Sequence, residues 1–572
     1  MTVRRRGAVA VAVVALALLV PTAASAHAYL IKTVPAASVI LSRSPSSVQL
    51  TYDEAVEPRF AIISVTDVSA HQETTGPVAR SASDPDTLIV PIKHIGQGWY
   101  LVYWRAISVD GHPVQGAFTF AVGPNAGPAP QFRVPHIAGT ATSTPLVIAK
   151  WLAFLTVMTA IGLFVLRIAI ARPVVRRVAG TSLRPLTIAF AVVAGLGLVA
   201  IPAYLEEAVA IDSLRSFWSV TAVVPLWRLT AFGRGYVDVE VCFAFFVLAA
   251  AVAIWTDRPG REGRSVAGLL ALSGAFAGAA AVLVLPGAVG HAGQTAPRGV
   301  ALLLDWLHLV SGSLWIGGLI GLLVVWGTLP AARRVAGLVV CVPRFSNVAF
   351  VSVLVLLGTG VGASVLHLPV LDALWLTTYG KVILIKAGIL LAAMLLASVN
   401  LLKNKPGLSR PEVSEASARL LRTLVSGEAI LVAGAILAAA VLSSVAPPPP
   451  AFAEEGSAIA RVGPGKVAST VTRGGYKLQV LVDPNRAAAP DSFGLRLTRG
   501  GKPVSGADVT LTFAMLDMQM PTQEYQLAQT APGIYARKAP ALVMVGHWGL
   551  SYTITPRHGL PFTVLVVDRA GG

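Results

Sequence analysis

The chain has 572 residues, of which 55% are hydrophobic and only 13% are charged. Soluble globular proteins carry about 25% charged residues and disordered chains contain few hydrophobic ones, so the composition excludes both classes. It fits a membrane protein with several domains. Two cysteines exclude a disulfide scaffold and a Cys-rich zinc module. The net charge of +17 would indicate a nucleic-acid partner only if the Lys and Arg residues clustered on a soluble domain.

Residues 1–26 have the three parts of a secretory signal peptide. Three arginines at 4–6 precede an apolar run from Ala8 to Val20, and Ala24-Ser25-Ala26 follows as a cleavage site. The alternative interpretation is an uncleaved membrane helix, but the apolar run is short for one. Cleavage after Ala26 would make His27 the mature N-terminus. Its α-amine and imidazole would then form a chelate that a histidine within the chain cannot provide.

Residues 27–130 have an all-β pattern. Alternating stretches at 48–52 and 61–65 and longer runs at 99–107 and 117–122 predict strands, with Gly, Pro, Asp and Ser between them. We therefore expect a sandwich or barrel of about a hundred residues.

Residues 145–446 contain eight apolar stretches, each about long enough to cross a bilayer. The predicted spans are 145–170, 184–210, 236–255, 265–290, 300–328, 345–368, 378–402 and 419–446. Together they predict an eight-helix transmembrane bundle. A Pro-rich linker is expected at 447–466. A second β pattern covers 467–572, with predicted strands at 476–482, 493–497, 509–513, 549–554 and 562–567, and indicates a C-terminal sandwich.

Loop charge predicts the orientation of these spans. The loops on one side hold fourteen basic residues: Arg172, Arg176, Arg177, Arg184, Arg258, Arg261, Arg264, Arg333, Arg334, Arg344, Lys403, Lys405, Arg410 and Arg419. The loops on the other side hold four: Arg215, Arg228, Arg234 and Arg298. By the positive-inside rule the richer loops face the cytoplasm, so both β domains are extracytoplasmic at the cytoplasmic membrane. This distribution explains the basic charge without nucleic acid.

The turn that follows the predicted strand 99–107 carries metal-ligand chemistry. It presents Asp110 and His112 close together, and the amine and ring of His27 would complete a set of nitrogen and oxygen donors. Such donors favour tetragonal Cu(II). Taken alone, Asp110-Gly111 is an ordinary turn and His112 an ordinary surface residue. The predicted N-terminal histidine in the same domain favours the metal site.

The stretch His27-Ala28-Tyr29-Leu30, with Pro35-Ala36 and Asp110-Gly111-His112-Pro113 through Phe118 and Phe120, resembles the CopC family of copper-binding β-barrels. The resemblance implies Cu(II) bound by His27, Asp110 and His112. Some members also use an acidic residue near the position of Glu54. Others have a Met-rich Cu(I) site, which we expect to be absent because residues 27–130 contain no Met.

Ionisable side chains inside a bilayer are costly, and each is a functional-site candidate. Asp305 and His308 lie three residues apart on one face of span five, while His291 and His367 end spans four and six on the outer side. The three histidines therefore fall in the outer third of the membrane, where an ion from the first domain would enter. Other polar residues within the spans are Lys381, Lys386, Asn400 and Glu428.

The membrane segments carry the motifs Gly290-His291-Ala292-Gly293, Asp305-Trp306-Leu307-His308, Ser313-Leu314-Trp315 and Arg344-Phe345-Ser346, with Lys381, Lys386 and Asn400 further on. This pattern resembles the CopD membrane family. A CopC-like domain fused to a CopD-like one resembles bacterial copper transport and resistance proteins. The resemblance implies a copper path through the spans, for which His291, Asp305, His308 and His367 are the candidate ligands.

Four of the seven methionines lie near the C-terminus: Met515, Met518, Met520 and Met544, with His547 beside the last. Thioethers select Cu(I), but methionine also fills sandwich cores, and both interpretations stay open here. The segment resembles YtkA-like and FixH-like β-sandwich domains. Cys242 and Cys341 fall on opposite sides of the membrane and are expected to be packing residues.

The leading hypothesis is a copper-binding and transport protein of the membrane, not an enzyme, that captures Cu(II) outside and passes copper inward. Its partners would be copper, the lipid bilayer and an extracytoplasmic copper donor or acceptor protein. The alternative is extracytoplasmic sequestration for resistance, which would use the same residues. A copper oxygenase is more remote because Asp110 would fill the oxygen position, and histidine-ligated haem for electron transfer is another remote alternative. The chain contains no Gly-x-x-x-x-Gly-Lys loop for ATP.

Overall fold

The structure is a computed structural model. It describes residues 30–571 except 37–38, 53–55, 57, 108–112, 125–131, 133–142, 213–216, 219–230, 261–262, 294, 369, 372, 411, 446, 448–457, 459, 488, 517–521 and 544–545. The predicted signal peptide lies outside the described residues. The chain divides into two compact units, a membrane unit of residues 141–367 and 374–446 and a β unit that contains 27–140, 368–373 and 447–572.

The N-terminal part of the β unit is a sandwich. Its described strands are β1 Leu30–Val34, β2 Ile40–Leu41, β3 Ser47–Tyr52, β4 Ile62–Thr66, β5 Ala79–Arg80, β6 Thr87–Pro91, β7 Gly98–Ile107 and β8 Pro113–Val122. They form two four-stranded sheets with the orders β1-β3-β6-β5 and β2-β8-β7-β4. Alternate residues of β3 and β4 are buried, as the alternating sequence predicts. The predicted all-β N-terminal domain is confirmed.

The membrane unit contains eight long helices. Within the described part of the chain, these eight are long and apolar enough to cross a membrane. They are α1 Thr144–Val165, α2 Arg184–Asp212, α3 Ala231–Thr256, α4 Val266–Val289, α5 Arg298–Thr328, α6 Ala331–His367, α7 Thr378–Val399 and α8 Ser414–Leu442. A π-helical turn, Leu166–Ala171, joins α1 to a short helix, Arg172–Arg177, and a second π-helical turn, Asn400–Asn404, follows α7. The prediction of eight apolar helices is confirmed.

The sixth helix is longer than its predicted span. It begins at Ala331 rather than at 345, and it contains Pro343. The apolar pattern reports only the part of a helix that is hydrophobic, whereas backbone hydrogen bonding continues into the polar segment with Arg333 and Arg334. Those two arginines therefore lie in the first turns of α6 and not in a loop.

Helices α1 and α5 meet at two glycines. A Cβ atom on Gly162 would overlap the carbonyl oxygen of Ser313, and one on Gly317 would overlap the backbone of Gly162. Small residues allow membrane helices to approach this closely. The contact fixes the position of α5, which carries Asp305 and His308.

The C-terminal part of the β unit is a second β domain. Its strands are β9 Ala460–Val462, β10 Val467–Arg473, β11 Tyr476–Asp483, β12 Asp491–Arg499, β13 Lys502–Pro503, β14 Asp508–Met515, β15 Gln523–Ala531, β16 Ile534–Ala539, β17 Gly546–Thr555 and β18 Phe562–Ala570. The sheet order is β10-β11-β12-β16-β15-β14-β17-β18-β9, with β13 beside β12. The second β domain is confirmed. Strand β9 lies in the segment predicted as linker and pairs in parallel with β18.

Two carboxyl groups are fully buried in this domain. Asp491 and Asp568 both have 0% exposure, and the Oδ2 atom of each has no hydrogen-bond partner among the described residues. Asn485 donates from Nδ2 to Oδ1 of Asp568 over 2.9 Å. Burial raises the pKa of Asp491 to about 7 and the pKa of Asp568 to about 6. The C-terminal domain is therefore more stable when these two carboxyl groups are protonated.

We expect the stability of the C-terminal domain to fall as the pH rises from about 4 to 7. The unfolded chain releases these protons near pH 4, whereas the folded chain keeps them to higher pH, so the folded state binds more protons across this window. Hydrogen exchange of strands β12 and β18 in the full chain, followed from pH 4.5 to 7.5 with correction for intrinsic rates, measures the effect. Asp491→Asn should flatten the pH dependence. An equally steep dependence in that variant would contradict this assignment.

Candidate metal centre

The predicted N-terminal ligands lie outside the described residues. These are His27, Glu54, Asp110 and His112. The elements that flank them are described. Strands β7 and β8 pair through to Ile107 opposite Pro113, so residues 108–112 connect the two adjacent strand ends. The sequence therefore places Asp110 and His112 in a connection of five residues at one end of the sandwich.

The same end of the sandwich receives the beginning of β1. Leu30 pairs with Tyr52 at the end of β3. The ring of Tyr52 packs edge-on against Trp104 of β7, with the ring centroids 5.7 Å apart. Trp104 lies three residues before Ile107, where β7 ends. The first described residues and the end of β7 are thus held together by a buried aromatic contact.

In the membrane unit, the ring of His308 is oriented by α6. Nδ1 of His308 lies 2.9 Å from Oγ1 of Thr359, and that hydroxyl donates its own hydrogen to the carbonyl of Val355 over 2.7 Å. The hydroxyl therefore accepts, and Nδ1 of His308 carries the hydrogen. A metal-binding histidine is commonly held in this way, with one ring nitrogen bonded to the protein and the other left as the ligand atom.

The other ring nitrogen of His308 contacts a lysine. Nζ of Lys386 on α7 lies 3.2 Å from Nε2 of His308. Asp305 lies one helical turn before His308, interacts electrostatically with Lys386, and packs against Gly287 of α4. We call Asp305, His308, Thr359 and Lys386 the outer cluster. The sequence singled out each of these residues except Thr359, but it did not predict the contact between His308 and Lys386.

His367 lies at a different level from the outer cluster. Its Nδ1 donates to the carbonyl of Ala363 over 2.8 Å, and its Nε2 lies 3.2 Å from Oγ1 of Thr295. Thr359 and His367 are eight residues apart on α6, which corresponds to about 12 Å along the helix axis. The two histidines are therefore too far apart to share one coordination sphere, and in each of them Nδ1 is hydrogen-bonded to α6.

The remaining membrane candidate, His291, begins the 3₁₀ turn His291–Gly293, and its side chain is outside the described part. Within the described part, no three His, Cys, Asp or Glu side chains lie together as a metal-binding group. Cys242 and Cys341 are both free thiols. The described candidate residues of the membrane unit thus lie at successive levels along the helices and do not form one closed site.

A second polar cluster lies around Glu428 of α8. Glu428 is only 3% exposed and accepts a hydrogen bond from Nδ2 of Asn400. Asn404 donates to Oδ1 of Asn400 over 2.7 Å, and Oδ1 of Asn404 has no partner among the described residues. Both asparagines belong to the π-helical turn, a distortion that is frequent at functional sites.

The C-terminal candidates are separated by the sheet. Met515 is 3% exposed and belongs to the core of the second β domain, where it pairs with Trp548 in register. His547 precedes Trp548 on β17 and is exposed, so its side chain projects from the opposite face of the sheet. Met518, Met520 and Met544 lie outside the described residues. Met515 therefore fills the core, and its side chain does not meet that of His547.

Comparison with known families gives three matches in order along the chain. The CopC domain matches residues 30–123, Copper resistance protein D matches 339–442, and YtkA-like matches 470–553. The chain is 24% identical to the copper transport protein CutJ of Bacillus subtilis (strain 168) over 546 residues, 94% of each chain.

The first domain has its own relatives. Protein YobA of Escherichia coli (strain K12) is 36% identical over 98 residues, 17% of this chain and 79% of that protein. Copper resistance protein C of Escherichia coli is 32% identical over 106 residues, 17% of this chain and 83% of that protein. The solved structure of CopC from Methylosinus trichosporium OB3b is 29% identical, covers 18% of this chain and 100% of its own, and has a TM-score of 0.17.

These findings define a membrane protein of the copper transport and resistance class. The chain belongs to the CopC family through its first domain, and CopD and YtkA domains follow in the predicted order. The predicted fusion of these domains is thereby confirmed. The CopD match covers helices α6 to α8, while Asp305 and His308 lie on α5, before it.

Proposed function

We propose that this protein captures Cu(II) outside the cytoplasmic membrane at His27, Asp110 and His112, and that its membrane domain carries copper inward. Asp305, His308 and His367 would bind copper along that route, and His291 would stand at its entrance. Both β domains would be extracytoplasmic. An extracytoplasmic donor protein would supply the metal.

The contact between Tyr52 and Trp104 carries the capture step of this proposal. His27 lies three residues before Leu30, and Ile107 lies three residues after Trp104. Three extended residues span about 10 Å, so this contact supports a site in which a mature N-terminus at His27 meets Asp110 and His112. Amine, imidazole and carboxylate groups suit Cu(II), which binds most tightly among the divalent first-row metals.

The orientation of two membrane histidines supports the transport step. His308 and His367 each have Nδ1 bonded to α6, and each offers Nε2 for a metal. They lie at two depths, as an ion path needs, since an ion must leave each site as well as enter it. The similar protein from Bacillus subtilis is named a copper transport protein, which favours movement of copper over storage alone.

The test is copper accumulation in sealed proteoliposomes that contain the full chain with its β domains outside. Copper is added outside, with and without ascorbate as reductant, external copper is removed with an impermeant chelator, and internal copper is counted by mass spectrometry. We expect internal copper to rise with time well above the level in protein-free vesicles. Copper that binds in a fixed ratio to the protein and never accumulates would overturn transport and favour extracytoplasmic sequestration.

A further inference from the structure

Lys386 places a cation where a copper ion would bind in the outer cluster. We propose that the ammonium group of Lys386 occupies the ligand nitrogen of His308 in the metal-free protein, and that copper binds there only by displacing it. This inference rests on the proposed function, because it concerns how the same membrane site is controlled.

The hydrogen bonds of the outer cluster leave one lone pair on the ring of His308. Nδ1 carries a hydrogen that Thr359 accepts, because the hydroxyl of Thr359 already donates to Val355. Nε2 therefore has the lone pair, and the ammonium of Lys386 donates to it over 3.2 Å. A metal ion needs that same lone pair, so the lysine and the metal exclude each other.

Replacement of the Lys386 ammonium by Cu(I) leaves the net charge of the outer cluster unchanged. A carboxylate on Asp305 and an ammonium on Lys386 attract each other, so the ionised cluster pairs one negative with one positive charge. Cu(I) would form from the captured Cu(II) by a one-electron reductant outside the protein. If the ammonium moves away as this Cu(I) arrives, one positive charge replaces another beside Asp305. Isolated charges are costly within a membrane, and a balanced exchange avoids that cost. The flexible four-carbon stem of lysine allows its ammonium to move without the helix.

This arrangement also selects among cations. Sodium, potassium and calcium prefer oxygen ligands and bind imidazole poorly, so they have no favourable contact with which to displace Lys386 from His308. Copper binds imidazole strongly and can displace it. The lysine thus keeps the path closed to the abundant cations while it remains open to copper.

Replacement of Lys386 by leucine tests the proposal, because the change removes the charge and supplies no ligand atom, whereas methionine would add a thioether that itself binds Cu(I). Copper affinity is measured on the purified full chain by competition with a Cu(I) chelator under ascorbate. An extra residue ahead of His27 weakens the first site in every variant. We expect Lys386→Leu to bind copper about tenfold or more tightly, since copper no longer has to displace an ammonium group from His308. Lys386→Arg, which keeps a cation, should resemble the unmodified chain.

Two control variants distinguish a wrong inference about Lys386 from a wrong membrane site. Lys381→Leu changes an exposed lysine on the same helix and should leave the affinity unchanged. The gain from Lys386→Leu should disappear when His308→Ala is added. If His308→Ala lowers binding but Lys386→Leu binds no more tightly than the unmodified chain, the inference about Lys386 is wrong and the proposed function stands. If His308→Ala changes binding in neither background, the membrane site itself is wrong.

Discussion

One extra residue ahead of His27 should lower the Cu(II) affinity of the processed protein by about a hundredfold or more, equivalent to about 2.7 kcal/mol of binding free energy. The extension converts the α-amine into an amide, which no longer offers a lone pair, and it removes the chelate ring formed with the imidazole. His112→Ala should cause a loss of similar size. Titration of the processed protein with Cu(II) against a competing chelator measures both effects.

Two histidines of the same domain serve as matched controls. His71 is exposed and bonded to Asp67 over 3.1 Å, and His94 is also exposed. His71→Ala and His94→Ala should leave the Cu(II) affinity unchanged. Equal affinity in the extended and the native N-terminus would remove His27 from the site and with it the capture step.

His308→Ala should abolish copper accumulation in proteoliposomes while Cu(II) capture by the first domain continues. The substitution removes the imidazole that α6 orients and that contacts Lys386, so the outer cluster loses its nitrogen ligand for copper. The first domain is a separate sandwich with its own core, so its affinity should not change. Accumulation is measured in sealed vesicles, and Cu(II) affinity is measured on the same preparation.

Thr359→Val is the companion variant. It preserves the shape of the side chain but removes the acceptor for Nδ1 of His308, so the ring loses its orientation and keeps its ligand atom. We expect slower accumulation rather than none, by about 10- to 100-fold, as for other groups that orient a metal ligand. Normal accumulation in His308→Ala would exclude His308 from the path.

Sequence patterns predicted the elements that have strong periodicity. The alternation at 48–52 and at 509–513 follows from one buried and one exposed face, and β3 and β14 have that pattern. The eight long helices were predicted because each contains an apolar stretch about long enough to cross a bilayer. Strand β15 was missed because its sequence is largely polar, and β16 was missed because Arg537 and Lys538 interrupt its short apolar pattern. Pairing between these neighbouring strands supplies stability that the pattern does not reveal.

The sequence could not predict which polar side chains touch. Asp305 and His308 were placed on one face by their spacing, which depends on α5 alone. The contacts of His308 with Thr359 and Lys386 depend on how α5, α6 and α7 rotate against one another. Close approach at Gly162 and Gly317 helps to set that packing, and nothing in the local pattern of any single helix encodes it.

The role of Met515 illustrates the same limit. Clustering near other methionines made it a candidate Cu(I) ligand, yet the alternation of β14 also fits a core residue. Which face of the strand is buried depends on the register with β17, where Met515 lies opposite Trp548. The interior position of Met515 therefore follows from strand pairing, which composition does not reveal.

Total cell copper distinguishes copper import from extracytoplasmic sequestration. It is measured by mass spectrometry in cells with and without this protein, grown at limiting copper. If the protein imports copper, the cells that lack it should contain less copper, and the unmodified chain but not His308→Ala should restore the level. Unchanged or higher copper in those cells, together with poorer survival in excess copper, would contradict import and identify the same ligands as a holding site.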